Sequence, residues 1–188
     1  MRYARGLSEN RRYISFMQPK IQQLIDHYTL EVLPVEGTLF ASTYVSSQKT
    51  TDGEPIKTAI IGLYASEPNS FSSFHRLTHD ELWHFYAGDP LRLVLLHPNG
   101  SSEDVVLGQD FAAGQHVQFV VPAQTWQAGH TLGAYSLFGC TMAPGFSGAC
   151  FEGGETNVLL EQFPNRAADI RRLSATHGET RMPEGYQQ

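Results

Sequence analysis

Side chains able to do chemistry concentrate in one short stretch, FHRLTHDELWHFYAGD, at residues 74–89. It contains the histidines His75, His79 and His84 and the carboxylate of Glu81. Histidine and carboxylate groups are common ligands of catalytic metals, and a histidine oriented by a carboxylate can also move protons near neutral pH. The stretch therefore predicts either a metal site or a metal-free histidine–carboxylate pair.

The alternation of side chains along a strand decides which of these groups can meet. If residues 81–88 form a strand, Glu81 and Trp83 share one face, and that face points inward. A carboxylate on an inward face needs a polar partner, because burying an unpaired charge is costly. His75 lies six residues earlier, across a predicted turn, and could meet Glu81 from the neighbouring strand. The alternative is a pair with a purely structural role.

The surrounding elements that must position these groups are mostly predicted strands. Only PKIQQLIDHY, which begins at Pro19, has apolar residues at helical spacing before the C-terminal region. Short β-like runs follow, separated by turn signals, at 38–45, 57–65, 81–88, 91–97 and 132–142, among others. Strands of this length at regular spacing indicate an antiparallel sandwich or barrel.

The chain divides into three predicted segments. Residues 1–17 form an N-terminal arm that we expect at a dimer interface, and residues 18–164 form the β domain. Residues 165–188 hold a short helix and a polar tail, which we expect to be mobile.

Composition narrows the function classes. The chain has 188 residues, a formal net charge of −6 and a pI near 5.7. A general nucleic-acid binder needs a basic surface, so we expect no nucleic-acid partner. No apolar run is long enough to span a bilayer, and no signal peptide follows the early arginines. We therefore expect a cytoplasmic protein without a membrane partner.

The motifs resemble those of the cupin superfamily. The first cupin motif runs His-x-His, three or four residues, Glu, six residues, Gly. His75, Glu81 and Gly88 stand at those positions, and Leu77 replaces the second histidine. The second motif resembles Gly114 to Gln127, where Gln127 replaces the last histidine and Gln124 a glycine.

Four segments are similar to one branch of the cupins, which is defined as a domain of unknown function. These segments are SSFHRL, DELWHFYAGDPL, VVPAQTW and GCTMAPGF. This resemblance runs from Ile21 to Phe163 and implies an all-β cupin jelly-roll barrel of two antiparallel sheets, with a short helix at each end, usually paired as a homodimer. LPVEGTLFASTY is similar to that branch's Pro-Glu-Gly-Gly-aromatic-Phe-x-Glu stretch, with Thr38 for a glycine and Ser42 for the last glutamate.

The resemblance also bears on metal binding. Of the four cupin ligand positions only His75 and Glu81 are retained, so they would be the ligands of any metal. Leucine cannot bind a metal, and an amide is a poor substitute for imidazole. His79 or His130 could restore a ligand. We predict a metal-free protein without a cofactor.

Binding of a small molecule is the first functional hypothesis. A barrel pocket with aromatic walls and a few polar groups suits a nucleotide or nucleotide sugar. The candidate ligand-binding residues are Phe40, His75, Arg76, Glu81, Trp83, Gln124, Trp126 and Phe146.

Three alternatives stay open, and the sequence leaves undecided whether the protein is an enzyme. The first is a sugar-nucleotide epimerase or isomerase, with His75 as base beside Glu81, and Tyr135 as the acid that the resemblance implies. The others are a metal-dependent cupin oxygenase and a ligandless structural dimer.

Overall fold

The computed structural model describes residues 19–174 and 179–186. The predicted N-terminal arm, residues 1–17, lies outside the described residues. Its expected role in a dimer therefore stays a prediction.

Helices flank a β-rich centre in the described part of the chain. The helices are α1 (Pro19–Tyr28), α2 (Thr156–Gln162) and α3 (Ala167–Arg172). The strands are β1 (Glu31–Val32), β2 (Leu39–Val45), β3 (Thr58–Ala65), β4 (Ser72–Leu77), β5 (Glu81–Gly88), β6 (Leu91–Leu96), β7 (Ser102–Leu107), β8 (Gln118–Val121), β9 (Trp126–Thr131), β10 (Tyr135–Met142) and β11 (Phe151–Gly153).

The strands form two antiparallel sheets. One has the order β1-β2-β3-β10-β5-β8, and the other β11-β4-β9-β6-β7. Several neighbouring strands, such as β3 and β10 or β4 and β9, are distant in sequence, as expected of a jelly roll, so the chain crosses repeatedly between sheets. The predicted all-β jelly-roll fold with short terminal helices is confirmed.

The main core lies between the two sheets, and each sheet is also covered outside. Inward side chains such as Tyr64, Trp83, Leu93 and Phe138 form the central cluster. The helix α1 packs Ile21 against the outer face of the six-stranded sheet. The helices α2 and α3 cover the outer face of the five-stranded sheet, with these buried side chains in contact: Phe74, Trp126, Leu159, Phe163 and Ile170. Because these strands are buried on both faces, apolar and polar residues alternate little along them.

The C-terminal segment 179–186 lies against the barrel. The carbonyl of Thr180 accepts a hydrogen bond of 2.8 Å from the backbone N–H of Gly153, at the edge strand β11. Met182 is buried in the cluster that contains Phe146 and Phe151. This described part of the predicted tail is therefore docked beside one end of the barrel.

Candidate functional site in the barrel interior

An irregularity in β4 brings His75 to the inside of the barrel. Ser72 pairs with Gly129 and His75 with Gln127, so β4 has one more residue than β9 between these two pairs. A bulge of this kind places two residues opposite one and redirects the side chains that follow. His75 faces the interior as a result and is only 3% exposed.

The imidazole of His75 is held on both sides. Its Nδ1 lies 2.8 Å from the carbonyl oxygen of Ser73, and because a carbonyl only accepts, Nδ1 carries a proton. Its Nε2 lies 3.9 Å from Oε2 of Glu36. The ring stacks on Phe151 with centroids 5.4 Å apart. The position of Nε2 beside a carboxylate is the feature by which this histidine could bind a ligand or move a proton.

Glu36 is a site residue that the sequence analysis missed. It lies in the turn between β1 and β2 and is buried, at 8% exposed. Its Oε1 accepts hydrogen bonds from the hydroxyls of Thr38 and Ser72. The Ser72 hydroxyl in turn shares a hydrogen bond with the buried hydroxyl of Tyr64. Tyr64, Ser72, Glu36 and His75 thus form a continuous polar chain inside the barrel.

A weak signal for Glu36 was present in the sequence. It is the glutamate of the VEGT stretch that resembles the branch's Pro-Glu-Gly-Gly motif, and Gly37 after it has φ of +92°, a conformation that favours glycine. The position of the last glutamate of that motif is occupied by Ser42, which the structure places exposed on β2.

Glu81 belongs to an adjoining hydrogen-bonded group. Its Oε2 accepts bonds of 3.1 Å from the Trp83 indole N–H and 2.7 Å from the Gln127 amide. The same indole N–H also donates to Oε1 of Gln127 at 3.0 Å. Burial raises the pKa of Glu81, the nearby His75 opposes that rise, and the charge of Glu36 adds to it. The partner of His75 in the described residues is therefore Glu36, and Glu81 acts on it only through its charge.

The residues at the cupin ligand positions do not fit the metal that this fold implies. Leu77 packs in an apolar cluster, and both polar atoms of the Gln127 amide are engaged with Trp83 and Glu81. Within residues 19–174 and 179–186 no group of three or more His, Cys, Asp or Glu side chains is arranged to hold a metal. The side chain of His79 forms a hydrogen bond of 3.2 Å with Glu54, away from His75 and Glu81.

Two predicted aromatic residues lie at the same end of the barrel as His75. Phe40 and Phe146 are buried in one cluster with Phe151, the ring on which His75 stacks. Trp83 lies deeper, in the central core, with its indole N–H directed to Glu81. Aromatic side chains therefore surround the buried polar groups of His75, Glu36 and Glu81.

Three other predicted residues lie elsewhere. Trp126 precedes the inward Gln127 and therefore faces outward, under α2 and α3, where the Arg76 guanidinium lies 4.5 Å above its ring. Arg76 also bonds Glu152 at 2.8 Å. Gln124 is exposed in the loop before β9. The structure does not bring these side chains to His75.

The predicted acid Tyr135 also lies outside the barrel. It packs under α1, with the Lys20 ammonium 5.3 Å from its ring centroid. The fold instead places Tyr64 in the interior. Its hydroxyl is connected to His75 through Ser72 and Glu36.

The fold and the motifs define a cupin. A family model described as "Cupin superfamily (DUF985)" matches residues 22–153. The chain belongs to this family.

Solved structures agree. A Shewanella oneidensis protein is 33% identical, with a TM-score of 0.76, over 81% of this chain and 96% of that one. A hypothetical protein from Leishmania major is 26% identical, with a TM-score of 0.72, over 81% and 97%. A cupin 2 conserved barrel domain protein from Rhodopseudomonas palustris is 12% identical over 77% and 83%, with a TM-score of 0.51, and shares the fold alone. No curated protein matches the chain.

In residues 19–174 and 179–186, no helix has both the length and the apolar character that a membrane crossing requires.

Proposed function

We propose that this cupin binds a small, hydroxyl-rich molecule, of the nucleotide-sugar or nucleotide type, in the barrel beside His75. The observation that carries the proposal is the fixed orientation of the imidazole. Nδ1 is bound to the Ser73 carbonyl, which leaves Nε2 directed into the interior beside the Glu36 carboxylate.

The ligand class follows from the groups around Nε2. Imidazole, carboxylate and hydroxyl groups from His75, Glu36 and Ser72 can donate to and accept from the hydroxyls of a sugar ring. The rings of Phe146 and Phe151 supply the apolar, aromatic surface that a sugar or base covers. This combination of apolar walls and few convergent polar groups is typical of small-molecule sites.

A thermal-shift experiment tests the proposal with a panel of purine nucleotides and sugar nucleotides. A ligand at a hundredfold above its dissociation constant adds about 2.7 kcal/mol of stability, which raises the melting temperature measurably. His75→Asn removes Nε2, so we expect it to lose most of the shift. The matched control is His84→Asn, because His84 lies on the outer face of β5, bonded to Thr141. No shift from any compound, or an equal shift in both variants, would contradict the proposal.

The polar chain favours sugar-nucleotide epimerase or isomerase activity as a second candidate function. Nε2 of His75 can serve as a base beside Glu36, while burial raises the pKa of Tyr64 so that its hydroxyl holds a proton to donate through Ser72. Activity would appear as exchange of a sugar carbon-bound hydrogen with deuterated solvent. We expect His75→Asn to abolish exchange, and Tyr64→Phe to slow it while substrate still binds. If the wild-type protein binds the compound but shows no hydrogen exchange, the binding function would stand and the epimerase or isomerase function would be excluded.

A further inference from the structure

A cleft opens on the outer side of the five-stranded sheet. It has a volume of about 310 Å³, at the lower end of the range for small-ligand sites. Three pieces of chain surround it: the β3–β4 turn with Ser66 and Asn69, the β9–β10 turn, and the end of α3 with Arg172. The sheet itself separates this cleft from the barrel interior.

His130 lines this cleft and has one polar atom that lacks a hydrogen-bond partner in the described residues. It is 8% exposed, and its Nδ1 donates to the carbonyl oxygen of Thr131 at 2.8 Å. Its Nε2 is buried, and no atom of the described residues forms a hydrogen bond with it. Nearly all buried polar atoms in proteins have a partner, so this atom is free to accept a hydrogen bond from a group other than the described residues.

The environment makes this histidine an acceptor. Burial lowers the pKa of His130, the charges of Arg172 and Arg92 lower it further, and the Thr131 carbonyl and Asp169 act in the opposite direction. A neutral ring with its proton on Nδ1 has a lone pair on Nε2. The partner of Nε2 must therefore carry a proton donor.

Arg172 supplies the positive charge of the cleft. Arg92 is occupied, since it bonds both Asp104 and Asp169 at 2.9 Å. Arg172 is exposed at the rim of the cleft and forms no ion pair with any residue in the described ranges. A ligand that satisfies both His130 and Arg172 must combine a proton donor with a negative charge.

We propose that this cleft binds a small anion that carries an O–H group beside its charge, as a protonated phosphate group or a 2-hydroxycarboxylate does. The O–H donates to Nε2 of His130, and the anionic oxygens accept from the Arg172 guanidinium. Ser66 and Asn69 offer further polar groups at the rim. The site is distinct from the barrel site, because Gln127 faces inward from β9 and His130 faces outward.

The test uses pairs of anions that differ in the proton donor. Inorganic phosphate is compared with sulfate, and lactate with propionate, by titration of the full chain, with the imidazole ¹⁵N signals of His130 followed by NMR. We expect phosphate, lactate or both to bind and to shift the Nε2 signal. Tighter binding of phosphate than of lactate would indicate a ligand with a phosphate group. Tighter binding of lactate would indicate a hydroxy acid. Sulfate and propionate should bind about tenfold more weakly, the effect of one lost hydrogen bond.

Variants assign the binding to these two side chains. His130→Asn keeps a donor for the Thr131 carbonyl and removes Nε2, and Arg172→Gln removes the charge from an exposed position. Each should weaken binding about tenfold. Arg171→Gln is the matched control on the same helix and should bind normally. Failure of all four anions to bind, equal affinity within both anion pairs, or unchanged binding in both variants would overturn the proposal.

Discussion

Two buried carboxylates flank one histidine, and their hydrogen-bond partners give them different roles. Glu36 accepts from Thr38 and Ser72 and presents its second oxygen to His75. Glu81 is instead satisfied by Gln127 and Trp83. Gln127 stands where the resemblance places a metal histidine, and its amide donates a hydrogen bond of 2.7 Å to Glu81. The Glu81 carboxylate is thereby hydrogen-bonded within the described residues.

The raised pKa of Glu81 predicts a pH dependence of stability. The folded protein binds this proton more tightly than the unfolded chain does. The stabilisation is fully present below the pH at which an unfolded glutamate titrates, and it is lost as the pH rises through the raised folded value. Glu81→Gln keeps an oxygen for the Trp83 and Gln127 donors but does not titrate.

Urea unfolding of both proteins across the acid to neutral range measures this dependence. We expect the wild-type free energy of unfolding to fall relative to that of Glu81→Gln as the pH rises. A difference between the two proteins that stays constant with pH would contradict it.

Trp126 contributes to stability at a distance from His75. It is 8% exposed under α2 and α3 and packs with Phe74 and Ile170. Trp126→Ala should lower the free energy of unfolding by about 3–5 kcal/mol, as is typical of a buried large-to-small change. Phe111→Ala is the control, since Phe111 is 70% exposed and should change stability by less than about 0.5 kcal/mol. A loss below about 1 kcal/mol for Trp126→Ala would show that the ring is not core.

At the scale of elements, the sequence predicted strands that alternate or are rich in branched residues, but not β9. The segment WQAGHT contains Gly129 and no apolar alternation, because its side chains pack on both faces of a central strand. Without this strand, no sequence pattern indicated that Gln127 pairs with His75 and that Trp126, predicted to bind the ligand, lies on the opposite face. Glu36 was missed for a related reason: its contact with Ser72 joins residues 36 positions apart, which no local pattern reports.

The docked segment 179–186 covers the end of the barrel that contains His75. Tyr186 packs edge-on against Phe146 with centroids 6.3 Å apart, and burial together with the charges of Glu36 and Glu31 raises its pKa to about 12. We therefore expect a ligand that enters at this end to displace the segment.

Met182→Ser should therefore increase access to the barrel, because it removes the buried apolar contact of the segment. We expect His75 to react several times faster with diethyl pyrocarbonate, as measured by mass spectrometry of the peptide. His97, which is partly exposed and bonded to Glu103, is the internal reference and should react at an unchanged rate. Equal rates for His75 in wild type and variant would indicate entry by another route.

At the scale of the whole molecule, one sheet face carries exposed apolar side chains. A cross-strand row on the outer face of the six-stranded sheet is formed, through paired neighbours, by Tyr44, Ala59, Thr141, Leu82 and Val120. Tyr44 is 51% exposed and Val120 49% in the described structure. A mainly apolar, partly exposed row of this kind across a sheet is typical of an interaction surface. We propose that it forms an isologous homodimer interface.

Light scattering tests this assembly. We expect the wild-type protein to have about twice the chain mass of 20.9 kDa at micromolar concentration. Val120→Lys should give single chains, since it buries an unpaired charge at the interface. Val158→Lys, at a similarly exposed position on α2, should stay dimeric. A wild-type protein with the mass of one chain would contradict the proposed interface.

The most direct test of the barrel site is a crystal structure of the purified protein soaked with a mixture of nucleotides and sugar nucleotides. We expect density for a bound compound inside the barrel, with a ligand oxygen or nitrogen within hydrogen-bond distance of Nε2 of His75 and close to Glu36. The same soak of His75→Asn crystals should show that density reduced or absent. A bound compound located only outside the barrel, or an interior with no compound at saturating concentration, would contradict the proposed function.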